Sequence, residues 1–203
     1  MKRIILSFII LCAYGLTLSA QNSSQARSIL DKTAKIVGRS GGAQADFTMS
    51  SGKAGSVSGS VFIKGNKFHA KTPQAIVWFN GKTQWSYMKQ TNEVSLSNPT
   101  QAQQMAMNPY TFINMYKSGF TLSMKTEGGN YVVKLSAQNK QRSVQEMFIT
   151  ISKKTYIPSV VKMRQGSTWS TITIHNFKAV DQPDKLFTYN AKDHPTAEVI
   201  DLR

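Results

Sequence analysis

Residues 59–96 read GSVFIKGNKFHAKTPQAIVWFNGKTQWSYMKQTNEVSL. Short apolar runs, Ser60–Ile63, Ala75–Phe79, Thr83–Met88 and Glu93–Leu96, alternate here with turn chemistry at Gly65-Asn66, Asn80-Gly81 and Gln90-Thr91-Asn92. Asn-Gly accepts positive φ at both central positions of a tight turn, so Asn80-Gly81 predicts a two-residue hairpin. The stretch therefore predicts five antiparallel strands in a meander. Such a sheet curves, and its apolar face must be covered.

The same pattern extends in both directions. Upstream, Ala43 to Ser50 predicts a first strand with Phe47 and Met49 on one side. Before it, Ala26, Ile29, Leu30, Thr33, Ala34 and Val37 make the i, i+3, i+4, i+7 stripe of an amphipathic helix over Ser24–Val37. Gly38 stands where a helix commonly ends in the left-handed conformation. Downstream, Thr100 to Ser118 changes period. Ala102, Met105 and Ala106 fit a short helix starting near Thr100. Asn108 and Pro109 open a second, with Phe112, Met115 and Tyr116 on one side. Strands then resume from Phe120 to Phe177, where Ile172 and Ile174 alternate with Thr171, Thr173 and His175. The expected fold is mainly β (α+β): a strongly curved antiparallel sheet, or unclosed barrel, of about eleven strands, with an N-terminal helix and a helical lid.

The beginning of the chain has another character. Lys2-Arg3, the apolar run Ile4–Leu18 and the small residues Ser19-Ala20 form a secretory signal peptide, with cleavage expected before Gln21. The mature chain would then be residues 21–203 of the 203, one exported domain. Cys12 is the only cysteine and lies inside the signal, which removes disulfides, zinc thiolates and cysteine nucleophiles from the mature protein. The full chain has 25 Lys and Arg against 10 Asp and Glu, a net charge of +15, and loss of Lys2 and Arg3 lowers this to +13. For an exported protein the anions at hand are lipid headgroups and acidic partner surfaces rather than nucleic acid. The lysines are spaced out along strands, which reads as a solvated face.

No enzymatic pattern emerges. His69, His175 and His194 lie far apart in sequence on different elements, without ligand spacing. There is no G-x-S-x-G, and no glycine loop followed by Lys-Ser/Thr. Most of the ten carboxylates sit in turns or near the C-terminus. No cofactor is implied. The soft apolar residues point to binding instead. Methionine adapts to ligands of varied shape, and Met105, Phe112, Met115 and Tyr116 would form a lid over a sheet cavity. Trp78, Trp85, Tyr87 and Trp169 could line the same space, with Phe47, Met49, Phe68 and Phe120. On this reading Phe112→Asp or Met115→Asp abolishes ligand binding and leaves the sheet folded.

With these motifs assembled, the chain resembles the LolA-type periplasmic carriers of outer-membrane lipoproteins. The resemblance rests on the signal peptide, the amphipathic helix, Gly59-Ser-Val-Phe-Ile-Lys64, Phe68, and Asn80-Gly-Lys-Thr-Gln-Trp-Ser-Tyr87 inside Val77–Tyr87. It extends to Leu186-Phe-Thr-Tyr189 and Ala197–Arg203 at the close. It implies an unclosed barrel whose apolar interior holds lipoprotein acyl chains in transit across the periplasm. The implied partners are acylated lipoproteins, an inner-membrane release machinery and an outer-membrane acceptor, with only transient membrane contact. The family often has Lys-Arg-Pro after the second strand, its arginine holding the lid closed. Here that place reads Lys64-Gly65-Asn66, without the arginine. The alternative function is a periplasmic sensor or regulatory module that reads an acylated ligand with the same fold.

Overall fold

The computed structural model describes residues 21–52, 55–100, 103–104 and 114–203. The expected signal peptide and most of the expected helical lid, including Met105 and Phe112, lie outside these residues.

Among the described residues the chain forms one sheet of twelve strands: β1 (Ala43–Ser51), β2 (Ser56–Lys64), β3 (Lys67–Lys71), β4 (Ala75–Phe79), β5 (Gln84–Met88), β6 (Glu93–Ser97), β7 (Phe120–Glu127), β8 (Asn130–Ala137), β9 (Glu146–Ser152), β10 (Pro158–Gln165), β11 (Thr168–Lys178) and β12 (Glu198–Asp201). Their spatial order is β12-β6-β5-β4-β3-β2-β1-β11-β10-β9-β8-β7. The sheet has two edges, at β12 and β7, so it is not closed into a barrel. The twelfth strand exceeds the eleven expected. It runs parallel to β6, pairing Glu198 with Glu93 and Asp201 with Leu96. All four of its residues are exposed, so no apolar alternation marks it in the sequence.

The 59–96 meander forms as five strands, but its turns differ in detail. Phe79 pairs with Gln84, so β4 and β5 are joined by four residues rather than two. Only Gly81 of the Asn-Gly pair takes positive φ, at 99°. Asn80 instead uses its side chain, whose Oδ1 accepts from the backbone N–H groups of Lys82 and Thr83 at 3.0 and 2.9 Å. An Asx-type turn satisfies the loop amides and removes the need for a left-handed asparagine. The two-residue connection is found at Gly65-Asn66, because Lys64 pairs with Lys67.

The N-terminal helix, α1, covers residues 21–37. Its expected stripe is the buried one: Ala26, Ile29, Leu30, Thr33 and Val37 are each at most 5 % exposed. Gly38 closes it through an ordinary bond from its N–H to the Ala34 carbonyl and stays outside the positive-φ region. The helix packs on the inner face of the sheet. Leu30 and Ile29 join Leu122, Val133, Leu135, Met147, Ile149 and Met163 in one core cluster. At about 1.5–3 kcal/mol per buried aliphatic side chain, this stripe accounts for the docking of the helix.

The opposite face of β3–β6 has its own cover. After β11 the chain passes through a short 3₁₀ turn, Asp184–Phe187, and a second, Ala191–Asp193, before reaching β12. Phe187 is fully buried. Asp184 takes ion pairs from Lys67 and Lys64 at 2.8 and 3.2 Å, and both lysines hold its carboxylate below the usual range. The C-terminal segment thus folds back over the outer face, giving the molecule apolar contacts on both sides of one sheet.

Candidate functional site

Strand alternation decides what faces α1. On β1, Ala43, Ala45, Phe47 and Met49 point inward, and the registers Phe47 with Ile174 and Met49 with Ile172 carry that face onto β11. On β2 and β3 the same face shows Val57, Val61, Ile63, Phe68 and Ala70. Between this surface and the Leu30–Thr33–Val37 side of α1 lies a cavity of about 530 Å³. Val161 and Met163 of β10 complete its wall. The lining is mainly apolar, with Phe47, Phe68 and Phe177 among aliphatic side chains and methionines. Its polar lining includes Ser51, Ser170 and Gln165 at one end, with Ser170 Oγ 2.8 Å from Ser51 Oγ, and Gln44, Asp46 and Thr72 elsewhere along the wall. Met49, at 38 % exposed, and the exposed Gln165 place solvent at that end.

Phe47, Met49 and Phe68 line this cavity. The other described residues expected there lie elsewhere. Met115, Tyr116 and Phe120 are buried in the core cluster around α1. The Tyr116 hydroxyl donates to the Asp31 carboxylate of α1, and Arg27 lies over its ring, 5.9 Å from the centroid. Burial, and then Asp31, push its phenol above the usual range. Tyr116 is therefore a tie between the helix and the segment entering β7. Thr100 and Gln103 form a capping box where the sequence predicts a helix start, with Thr100 N–H on Gln103 Oε1 at 2.8 Å and Gln103 N–H on Thr100 Oγ1 at 3.4 Å.

Trp78, Trp85, Tyr87 and Trp169 occupy the outer face. Trp78 pairs with Trp85 and Tyr87 is two residues on, so all three share one side of the sheet. That side meets the C-terminal segment: Tyr189 stands edge-on to Trp78 at 5.3 Å, and His194 lies 4.0 Å from the Tyr87 ring. Two histidines distant in sequence flank one tryptophan, since His69 stacks on Trp78 at 5.2 Å and His194 stands edge-on to it at 6.0 Å. Trp169 is on the outer face of β11, beside Phe148, with Lys162 and Arg164 over its ring at 5.0 and 5.9 Å. Aromatic residues carry the largest apolar area in the sequence. Here the tryptophans go to the outer face, and the cavity is lined by phenylalanines, methionines and aliphatic side chains.

His69 is buried, its Nδ1 lies 3.1 Å from the Val77 carbonyl oxygen, and burial with the Lys71 charge lowers its pKa to about 4. A base whose folded pKa lies below its unfolded value takes up its proton in the unfolded state first. Stability is therefore full above about pH 6.5 and falls progressively as the pH drops towards 4, by an amount on the order of 2 kcal/mol. Denaturant titrations across that window should show the decline, and His69→Phe should flatten it.

Gly65, at the place of the family's arginine, is a turn residue with φ of 57°, and a Cβ built there meets nothing within 4 Å. The position is open but conformationally suited to glycine. Among the described residues no group of three His, Cys, Asp or Glu side chains could hold a metal ion, and no helix is long and apolar enough to cross a membrane.

Comparison with known proteins agrees with this architecture. The family model described as outer membrane lipoprotein carrier protein LolA matches residues 16–167, through α1 and β1–β10. No curated protein matches the chain. The chain is similar in fold to an uncharacterized conserved protein from Thermus thermophilus, with TM-score 0.58 and 16 % identity over 87 % of this chain and 99 % of that one. A DUF1329 family protein from Desulfovibrio piger gives TM-score 0.50 and 10 % identity, covering 84 % and 98 %. A LolA superfamily protein from Nitrosomonas europaea gives TM-score 0.46 and 12 % identity, covering 81 % and 97 %. The family match spans well over half of the chain, from α1 across the strands that build the cavity, and the chain belongs to the outer membrane lipoprotein carrier protein LolA family.

Proposed function

We infer that the protein is a periplasmic carrier that shelters the acyl region of a lipoprotein from water and passes it from the inner membrane to an outer-membrane acceptor. The observation that carries this reading is the mainly apolar cavity between α1 and β1–β3, β10 and β11. An acyl chain left in water costs about 0.8 kcal/mol per methylene, which confines it to a membrane or to an enclosed apolar space. A cavity with a polar, solvent-facing end suits an amphiphile whose head stays outside. Membership of the carrier family supports the same assignment. The ligand enters as a passenger, and no chemistry on it is part of this reading.

The test is release. Purified protein added to isolated inner membranes should move acylated lipoproteins into the soluble fraction in proportion to the amount added. Absence of lipoprotein from that fraction, with the protein folded and in excess, overturns the carrier reading.

A further inference from the structure

A second hollow lies on the other side of the sheet, across the seam between β1 and β11. It measures about 190 Å³ and is lined by Gln44, Asp46, Ser60, Phe62, Asn176 and Lys178. Strand alternation turns the Gln44 and Asp46 side chains outward, away from the inner cavity that these residues also border. A β-bulge shapes the hollow. Gln44 pairs with Lys178 and Asp46 with His175, so one extra residue of β11 is fitted into the ladder. Asn176 takes the left-handed conformation there, with φ of 51°. Unbroken alternation from Ile174 would send Asn176 and Lys178 inward and Phe177 outward. The bulge reverses this: Phe177 lines the inner cavity, and the two polar side chains line the outer hollow.

The polar groups are held in place and still have bonds to offer. Asn176 Nδ2 donates to Asp46 Oδ2 at 2.7 Å, which leaves the other oxygen of each side chain open. Gln182 Nε2 donates to Gln44 Oε1 at 3.3 Å, which leaves the Gln44 amide N–H groups open. The Ser60 hydroxyl and the Lys178 ammonium have no partner among the described residues. Beside them stands one flat apolar surface. His69 stacks on one face of Phe62 at 5.7 Å, and the other face is turned towards the hollow. The lining holds one carboxylate and one ammonium, so it is electrically balanced although the chain carries a net charge of +15. That balance favours a neutral ligand over an ion. A ring with an apolar C–H face and a rim of hydroxyls, each both donor and acceptor, matches this set of groups.

We propose that the outer hollow binds a neutral carbohydrate, with one sugar ring lying on Phe62 and its hydroxyls on Asp46, Asn176 and Ser60. The site is separate from the acyl cavity and does not depend on the carrier reading.

The experiment titrates the protein with cellotriose, maltotriose, mannotriose and chitotriose, followed by saturation-transfer NMR and calorimetry, with free glycine as the zwitterionic control. At least one sugar should bind with a Kd of about 1 mM or tighter. Asp46→Ala should weaken it about tenfold, as the loss of a charge-assisted hydrogen bond does. Phe62→Leu keeps an apolar side chain but removes the flat ring, and should also weaken binding about tenfold. Ile174→Asp, on the inner face, should leave sugar binding unchanged. If the leucine variant does not fold, Asp46→Ala alone decides. Absence of binding across the panel, binding of glycine in place of any sugar, or sugar binding that survives Asp46→Ala would each overturn the proposal. None of these outcomes bears on lipoprotein release, which tests the carrier reading by itself.

Discussion

Ile174→Asp is expected to reduce acyl-ligand affinity by about a hundredfold or more while the protein remains folded. Ile174 lies on β11 opposite Phe47, lines the cavity, and is only half-buried in the free protein. In the absence of ligand an aspartate there keeps access to water, so the folded state loses little. A bound chain would seal that carboxylate into an aliphatic wall without a partner. Burying even a neutral polar group unpaired costs about 2–7 kcal/mol, and a charge costs more. The check is calorimetric titration with a long-chain fatty acid alongside a thermal melt. A variant that binds normally would place the ligand somewhere other than this cavity.

Met115→Asp is expected to do the reverse of what its sequence position suggests. The sequence places Met115 in a lid over the ligand, where a charge would block binding and spare the fold. In the structure it is 6 % exposed and belongs to the core cluster with Ile29, Leu30 and Phe120. A carboxylate in that apolar cluster is cut off from water and should destabilise the fold by about 4–5 kcal/mol. For a domain of this size that lowers Tm by about 10–20 °C. Differential scanning calorimetry decides between the two outcomes. An unchanged Tm with lost binding would restore Met115 to the lid. Together the two variants separate the wall of the cavity from the core beneath it.

The contrast shows which parts of the molecule are legible from residue order. The 3.6-residue period of Ala26, Ile29, Leu30, Thr33 and Val37 depends only on local geometry, and the buried side of α1 follows it. The two-residue period likewise places Ile172 and Ile174 together, and both line the cavity. Alternation says which residues share a face, however, and not which face turns inward. The size of Trp78, Trp85 and Tyr87 favours them as ligand contacts when the sequence is read alone. Their face is instead covered by Phe187, Tyr189 and His194, about a hundred residues later in the chain. No local pattern announces a contact of that separation. The parallel partner of β6 escapes sequence reading for a related reason, since Glu198–Asp201 is exposed throughout and pairs only through its backbone. The small cavity-lining residues Val57, Val61 and Ala70 do carry a signal. They stand on alternate positions of β2 and β3, in phase with Phe68 and out of phase with His69 and Trp78.

The same division of faces gives the family's architecture a specific form in this chain. The inner face is apolar, mixing aliphatic side chains with phenylalanines, and open at one end, whereas the outer face carries the tryptophans and is closed by the C-terminal segment at β3–β6. At β8–β11 the outer face is cationic, with Lys134 over Phe148 and Lys162 and Arg164 over Trp169. Part of the excess positive charge therefore covers aromatic rings, in keeping with lysines spread along strands.

The most direct measurement is photo-crosslinking with a fatty acid bearing a diazirine midway along its chain, followed by peptide mapping of the labelled protein. The carrier account predicts label on Val61, Ile172, Ile174 and the Leu30–Val37 side of α1, and its loss in Ile174→Asp. Label concentrated instead at Trp78, Tyr87 or Trp169 would put the acyl chain on the outer face and contradict the account.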